Sequence, residues 1–281
     1  MLFRSEALKV TGTPSLALNN GGTASYVSGS GTNQLLFSYT PSAGQSTADL
    51  ATAASNALSG TITDLAGNAI AASAFNNINP SGTVLVDSNA PTVSSVAISA
   101  AAGAQNGQLN TGDTVTVTVT MSESVLVDTS NGTPQLALNI GGTPRSAAYA
   151  SGSGSSALLF TYTIQASDSD GDGISIDANS LTLGGGSLRD LAGNTAASLT
   201  HAAVSDNGSY VVNNSLPQVT AISYGTNDGN LAAGEAITLL VDFDELVQVS
   251  GTPSLLLNSG GSAIYSGGSG NSRLSFLYTP A

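Results

Sequence analysis

Three copies of one stretch constrain this chain more than anything else in it. Gly12 to Thr40 reads GTPSLALNNGGTASYVSGSGTNQLLFSYT, Gly132 to Thr163 reads GTPQLALNIGGTPRSAAYASGSGSSALLFTYT, and Gly251 to Thr279 reads GTPSLLLNSGGSAIYSGGSGNSRLSFLYT. They start about 120 residues apart, a domain-sized period rather than a solenoid-sized one. Within each copy apolar residues fall at alternate positions: Leu35, Phe37, Tyr39, then Leu158, Phe160, Tyr162, then Leu274, Phe276, Tyr278. A period of two with one apolar face is the pattern of a strand half buried on a core. The Gly-Gly and Ser-Gly-Ser-Gly runs between the strands read as turns.

The flanking sequence shows what each copy belongs to. Thr92 to Ser99 and Asp113 to Met121 read as two strands ahead of the middle copy, with Val115, Val117, Val119 and Met121 facing in and the threonines facing out. Ile237, Leu239, Val241 and Phe243 repeat that pattern ahead of the third copy. The first copy lacks both strands: Ser5 to Val10 lines up with Ser122 to Val127, and the register puts Arg4 where Met121 and Phe243 stand, a poor core residue. The start of the chain is therefore expected to be a truncation or a gene-call artefact, with its first residues not natively paired. After the shared stretch the first two copies run on through Asp64-Leu-Ala-Gly-Asn68 and Asp190-Leu-Ala-Gly-Asn194. Each ends in an expected last strand, Gly82 to Val86 and Gly208 to Val212. Linkers with a proline follow, at Pro91 and Pro217; proline cannot extend a ladder and stiffens the join. The third copy stops at Ala281, before those last strands. Ala48 to Leu58 is compatible with either a helix or an alanine-rich loop. Short strands at this spacing with Gly, Asn and Asp turns predict an all-β Greek-key sandwich of roughly seven strands per module. One complete module, 90–215, is flanked by two incomplete ones, 1–89 and 216–281.

Composition narrows the function. Hydrophobic residues make up 41% of 281, enough to fill sandwich cores despite 33 glycines. Five basic against 18 acidic residues give a net charge of −13, with the basic ones scattered. That balance disfavours nucleic acid and anionic membrane as partners and favours cations. There is no cysteine, so disulfides and thiolate metal sites are excluded. Met1 to Glu6 lacks the apolar run of a signal peptide, and no apolar run is long enough to span a bilayer as a helix, so an export signal or anchor is expected outside this sequence.

Taken together, GTPxLxLNxGG, the YxSGSG turn, LxFxYT and DxAGN resemble the Ig-like repeats of very large bacterial surface proteins: the extender modules of calcium-dependent adhesins and the repeats of cyanobacterial swimming-motility proteins. The resemblance covers essentially the whole chain. It implies tandem Ig-like sandwiches, an extracellular or cell-surface location, and a spacer role behind a separate binding tip. It also implies that a linker acid and an acid of the next sandwich can share calcium. Here Asp87 and Asn89, with Glu123 of the middle module, match that arrangement, whereas Asn213 and Asn214 precede Glu245 at the next join.

A second calcium candidate comes from the residues themselves. Asp168-Ser-Asp170-Gly-Asp172-Gly173 places hard oxygen ligands at alternate positions before a turn glycine, as in the first half of an EF-hand loop. The twelfth position is Asn179 rather than Glu, so the fold must supply further ligands, with Asp177, Asp190 or Asp206 as candidates. The alternative is a polar hairpin loop whose Asp and Gly residues simply build turns. The first module reads Ser42 to Asp49 there and is expected to lack the ion. Asp64 and Asp190, ahead of Ala-Gly-Asn, also look like turn builders.

Catalysis finds little support. One histidine, His201, and no cysteine exclude a repeated Ser-His-Asp or Cys-His site, and a lone histidine near a strand end reads as surface. Glu123 and Glu245 recur at equivalent positions, which suits structure better than a glycosidase pair. The expected function is thus non-catalytic: calcium-stiffened extender repeats whose partners are neighbouring modules of the same chain. The alternative is a self-assembling filament or surface-layer subunit in which open strand edges pair with other copies.

Overall fold

The computed structural model describes residues 2–3, 6–226 and 229–280, so Arg4 lies outside the described residues. The chain is all-β, its strands antiparallel apart from short parallel pairings, with two single-turn 3-10 segments among the described residues, at Ala72–Phe75 and Gly208–Tyr210. Contacts divide it into two compact units, Met1–Asn213 and Asn214–Ala281. The first unit holds two separate cores, one around Leu8, Leu35, Ile62 and Phe75 and one around Val117, Leu138, Phe160 and Leu188. Each of the first two repeats thus has its own hydrophobic centre within that unit.

In the middle repeat the strand order is Leu181–Thr182, Gln135–Ile140, Thr143–Ser151, Ser155–Thr163, Thr114–Asp128, Ser187–Asp190, with Val93–Ala102 also on the long strand. Val115, Val117 and Val119 are fully buried and Met121 nearly so, as alternation demands. The 15-residue strand Thr114–Asp128 serves two sets of partners. Thr114 to Thr120 pairs with Ala157 to Thr163, and Val125 pairs with Ser155 on one side and heads the pairing of Val125 to Asp128 with Ser187–Asp190 on the other. Between the two paired parts the register slips, as at a β-bulge. Glu123 sits in that irregular stretch.

The repeated YxSGSG turn has one construction in all three copies. Tyr26, Tyr149 and Tyr265 accept a hydrogen bond at the phenolic oxygen from the backbone N–H of Ser30, Ser153 and Ser269 at 2.8–2.9 Å. The Oγ of the same serines accepts from Val10, Val127 and Val249 N–H at 2.9–3.0 Å. Each tyrosine ring stands edge-on to the phenylalanine of the next strand at 5.8–5.9 Å. Gly152 makes the turn possible: its φ is +110°, and a Cβ there would meet Ala157 O at 2.1 Å.

Several expected elements differ. The last strand of the first repeat shrinks to one bridge between Val86 and Thr47, and that of the second to Val211–Val212, paired in parallel with Gln108–Leu109. Ala48 to Leu58 is loop until Leu58 enters a strand, because side chains hold it extended: Asn76 Oδ1 accepts from Ala57 N–H, and Thr52 Oγ donates to Phe75 O. The second unit is one five-stranded sheet, Val219–Tyr224, Ile237–Val247, Asn271–Tyr278, Ser262–Gly267, Ser254–Leu256, in that order. Ile237, Leu239 and Val241 are buried there, while Phe243 is half-buried.

Candidate functional site

The linker between the first two sandwiches is laced to both. On the first sandwich, Val86 and Thr47 exchange backbone hydrogen bonds, Ser88 Oγ donates to Ser42 O and Gln45 O, and Asn89 Nδ2 donates to Ser46 Oγ. On the second, Thr92 N–H donates to Ser122 Oγ and Ser122 N–H to Thr92 O. Asn194 Nδ2 reaches the linker itself, donating to the carbonyl oxygen of Asp87 at 3.0 Å. The Asp190-to-Asn194 turn is in turn self-braced, since Asp190 Oδ1 accepts from Asn194 N–H and Oδ2 from Asn194 Nδ2, both at 2.7 Å.

Three carboxylates converge at this join. Asp87 comes from the linker, Glu123 from the irregular stretch of the long strand Thr114–Asp128 and Asp190 from the strand paired to it, and one oxygen of each lies within 4.8 Å of the others. Among the described residues this is the one such group of three metal-ligating side chains. Oxygens bound to a single calcium at ~2.3–2.6 Å stand at most ~5 Å apart, so the spacing fits that ion. Asp190 is buried, while Asp87 and Glu123 are half-buried.

Electrostatics separate their roles. Burial pushes the Glu123 carboxyl above its ordinary range, and the charges of Asp87 and then Asp190 push it further. Burial also pushes Asp190 up, but the hydrogen bonds from the Asn194 side chain and backbone, with those from Gly193 and Ala192 N–H, outweigh it and hold Asp190 below its ordinary value. Glu123 is therefore the strained member. The folded state holds its proton to higher pH than the unfolded state does, so without a cation this group costs stability as pH rises from the ordinary Glu range through the raised value. We expect carboxyl NMR of the chelated protein to show Glu123 titrating above a free glutamate and calcium to drive it below; a titration that ignores calcium would remove Glu123 from any cation site.

Asp168, Asp170 and Asp172 are placed differently. Asp168 Oδ1 accepts from Arg145 Nε at 2.6 Å, and Oδ2 from the Tyr162 hydroxyl at 2.7 Å and Gln165 N–H at 2.8 Å. Burial first, and then the bond to Asp168, push the Tyr162 phenol up to about 12. In the first repeat the neutral Gln45 takes this place, its Oε1 accepting from the Tyr39 hydroxyl and Ser42 N–H. An amide that does the same work marks Asp168 as a brace. Asp170 is equally engaged, accepting from Gly141 N–H and Gly173 N–H at 2.8 Å each. Asp172 is exposed and its carboxyl raised, first by its hydrogen bond to Asp170 and then by the charges of Asp206 and Asp170. Asp177 is exposed, and Asn179, in the left-handed region at φ +60°, accepts from His201 N–H.

Sequence reasoning paired Asp87 with Asn89 and Glu123, and assigned Asp190 to turns or to the other loop. Asn89 instead orients Asp87, donating its N–H to Oδ1 at 3.1 Å. Asp190 does both things: it builds its turn and completes the trio. Asn194 was missed altogether, although its recurrence with Asp190 as Asp64 and Asn68 was a readable signal. His201, expected at the surface, is buried at 9% exposure, with Nδ1 donating to Ala202 O and Nε2 accepting from Ser180 N–H. No family model matches this chain, and no curated protein matches it.

Proposed function

We propose that this chain is a run of non-catalytic Ig-like extender modules of a bacterial extracellular adhesin or giant cell-surface protein, in which calcium stiffens the join between successive sandwiches. The observation that carries the reading is the convergence of Asp87, Glu123 and Asp190 at the join. One acid comes from the linker and two from the next sandwich, so a cation bound there ties one module to its neighbour, and three mutually repelling carboxylates need such a counter-charge. The hydrogen bonds lacing the linker to both sandwiches support the same role, because a join ordered on each side loses little further entropy when the ion binds. Neighbouring modules are the functional partners, and Asp87, Glu123 and Asp190 are the ligands, completed by water or backbone oxygens.

The reading predicts a calcium-dependent join. Limited proteolysis of the full chain by an enzyme of broad specificity is expected to cut within 87–91 in chelator and to spare it in millimolar calcium. Cleavage there at equal rates in both conditions would overturn the stiffening role.

A further inference from the structure

The first sandwich carries the same docking apparatus at its own end. Leu8 pairs with Asp64 in the register in which Val125 pairs with Asp190, and Glu6 precedes Leu8 by the two residues that separate Glu123 from Val125. The turn is built identically: Asp64 Oδ1 accepts from Asn68 N–H at 2.8 Å, and Oδ2 from Asn68 Nδ2 at 2.7 Å. What differs is the cover. Asn194 spends its second amide hydrogen on the linker carbonyl of Asp87, and Asp190 is 2% exposed. Asn68 is exposed and Asp64 only half-buried, although the turn around them is the same. Ala192 of the covered turn also lines a groove with Tyr39, Pro41, Leu50 and Val86 of the adjoining sandwich.

We infer that the face formed by Glu6 and the Asp64-to-Asn68 turn is an acceptor for an extended acidic linker of the Val-Asp-x-Asn-x-Pro type, presented by another sandwich of the same kind. Asn68 Nδ2 takes the backbone carbonyl of the incoming aspartate, as Asn194 takes that of Asp87. The incoming carboxylate joins those of Glu6 and Asp64, so docking strengthens when a divalent cation neutralises the three. The chemistry also selects among linkers. A segment like Asn213-Asn-Ser-Leu-Pro217 offers the carbonyl but not the carboxylate, and an Asp-bearing linker is preferred.

The test uses the full chain, isotope-labelled, titrated with a blocked synthetic peptide of residues 82–91 in millimolar calcium. Saturable amide shifts are expected at Asp64 to Asn68 and at Glu6, at least tenfold weaker for Asn68→Ala and for the peptide carrying Asp87→Asn. The unperturbed spectrum of the rest of the chain reports that Asn68→Ala still folds. No shift at Asp64 to Asn68, equal binding by the variant, or shifts confined to Asp190 to Asn194 would each overturn the inference. The inference rests on the reading of the join given above, and the two fail separately. Peptide shifts that persist unchanged in chelator keep the docking face and remove its ion, whereas a calcium-protected linker with no peptide response keeps the join and removes the docking face.

Discussion

In millimolar calcium the unit Met1–Asn213 is expected to melt about 5–10 °C higher than in chelator. The estimate follows from linkage: an ion at a hundredfold excess over its dissociation constant adds ~2.7 kcal/mol, and in a unit of some two hundred residues each kcal/mol moves the midpoint by ~2–4 °C. Glu123→Gln makes the experiment specific. Without calcium it removes a carboxylate strained by burial and by Asp87 and Asp190, so the chelated variant melts above the chelated parent. With calcium it removes a proposed ligand, so most of the increment is expected to disappear. The substitution thus acts with opposite signs in the two conditions, which a merely structural glutamate would not do. Asp190→Asn is a poorer probe, because its carboxylate also braces Asn194. Identical melting of the parent with and without calcium, or loss of stability by Glu123→Gln in both conditions, would defeat the assignment.

The split between what was legible in the chain and what was not follows sequence separation. Val115, Val117 and Val119 announce their burial through local alternation, and the serine and glycines of YxSGSG announce a turn, because both signals are complete within a few residues. Asp168 shows what local reading does not reach. Its spacing to Asp170 and Asp172 is that of a chelating loop, and the partner it meets in the fold is Arg145, 23 residues earlier on a neighbouring strand. Asp190 shows the converse case. A local Asp-to-Asn turn looks self-sufficient, and only the pairing of Ser187–Asp190 with the far end of the long strand Thr114–Asp128 brings it to Glu123 and the linker. Gln45 in the place of Asp168 was a clue within the sequence itself, because Tyr39 to Gln45 and Tyr162 to Asp168 span the same six residues, and the Tyr39 and Tyr162 hydroxyls show what that equivalence means.

Replacing Phe160 with Ala lowers the unfolding free energy of the middle sandwich by ~3–5 kcal/mol, the range for truncating a fully buried phenylalanine. The ring is completely buried, lies edge-on to Tyr149, and stands on the strand paired to Val117 in the middle of the core. Residues on the long strand and on the covering segments, Val119, Leu138 and Leu188 among them, are themselves fully or almost fully buried, so they have little freedom to collapse into the space left. Against a stability of ~5–15 kcal/mol the loss is a large share of the total. The third repeat supplies the comparison within the same chain. Phe276 makes the same edge contact with Tyr265 and is nearly buried, but its neighbour Leu239 lines an open cavity of about 320 Å³ together with Ile237, Leu257 and Tyr278. A void opened beside solvent-accessible space is not sealed, so Phe276→Ala costs less than Phe160→Ala. Urea unfolding followed by circular dichroism, which suits a chain without tryptophan, ranks the two; equal losses, or a Phe160→Ala loss under ~1 kcal/mol, would contradict the account of a closed middle core and an open third one.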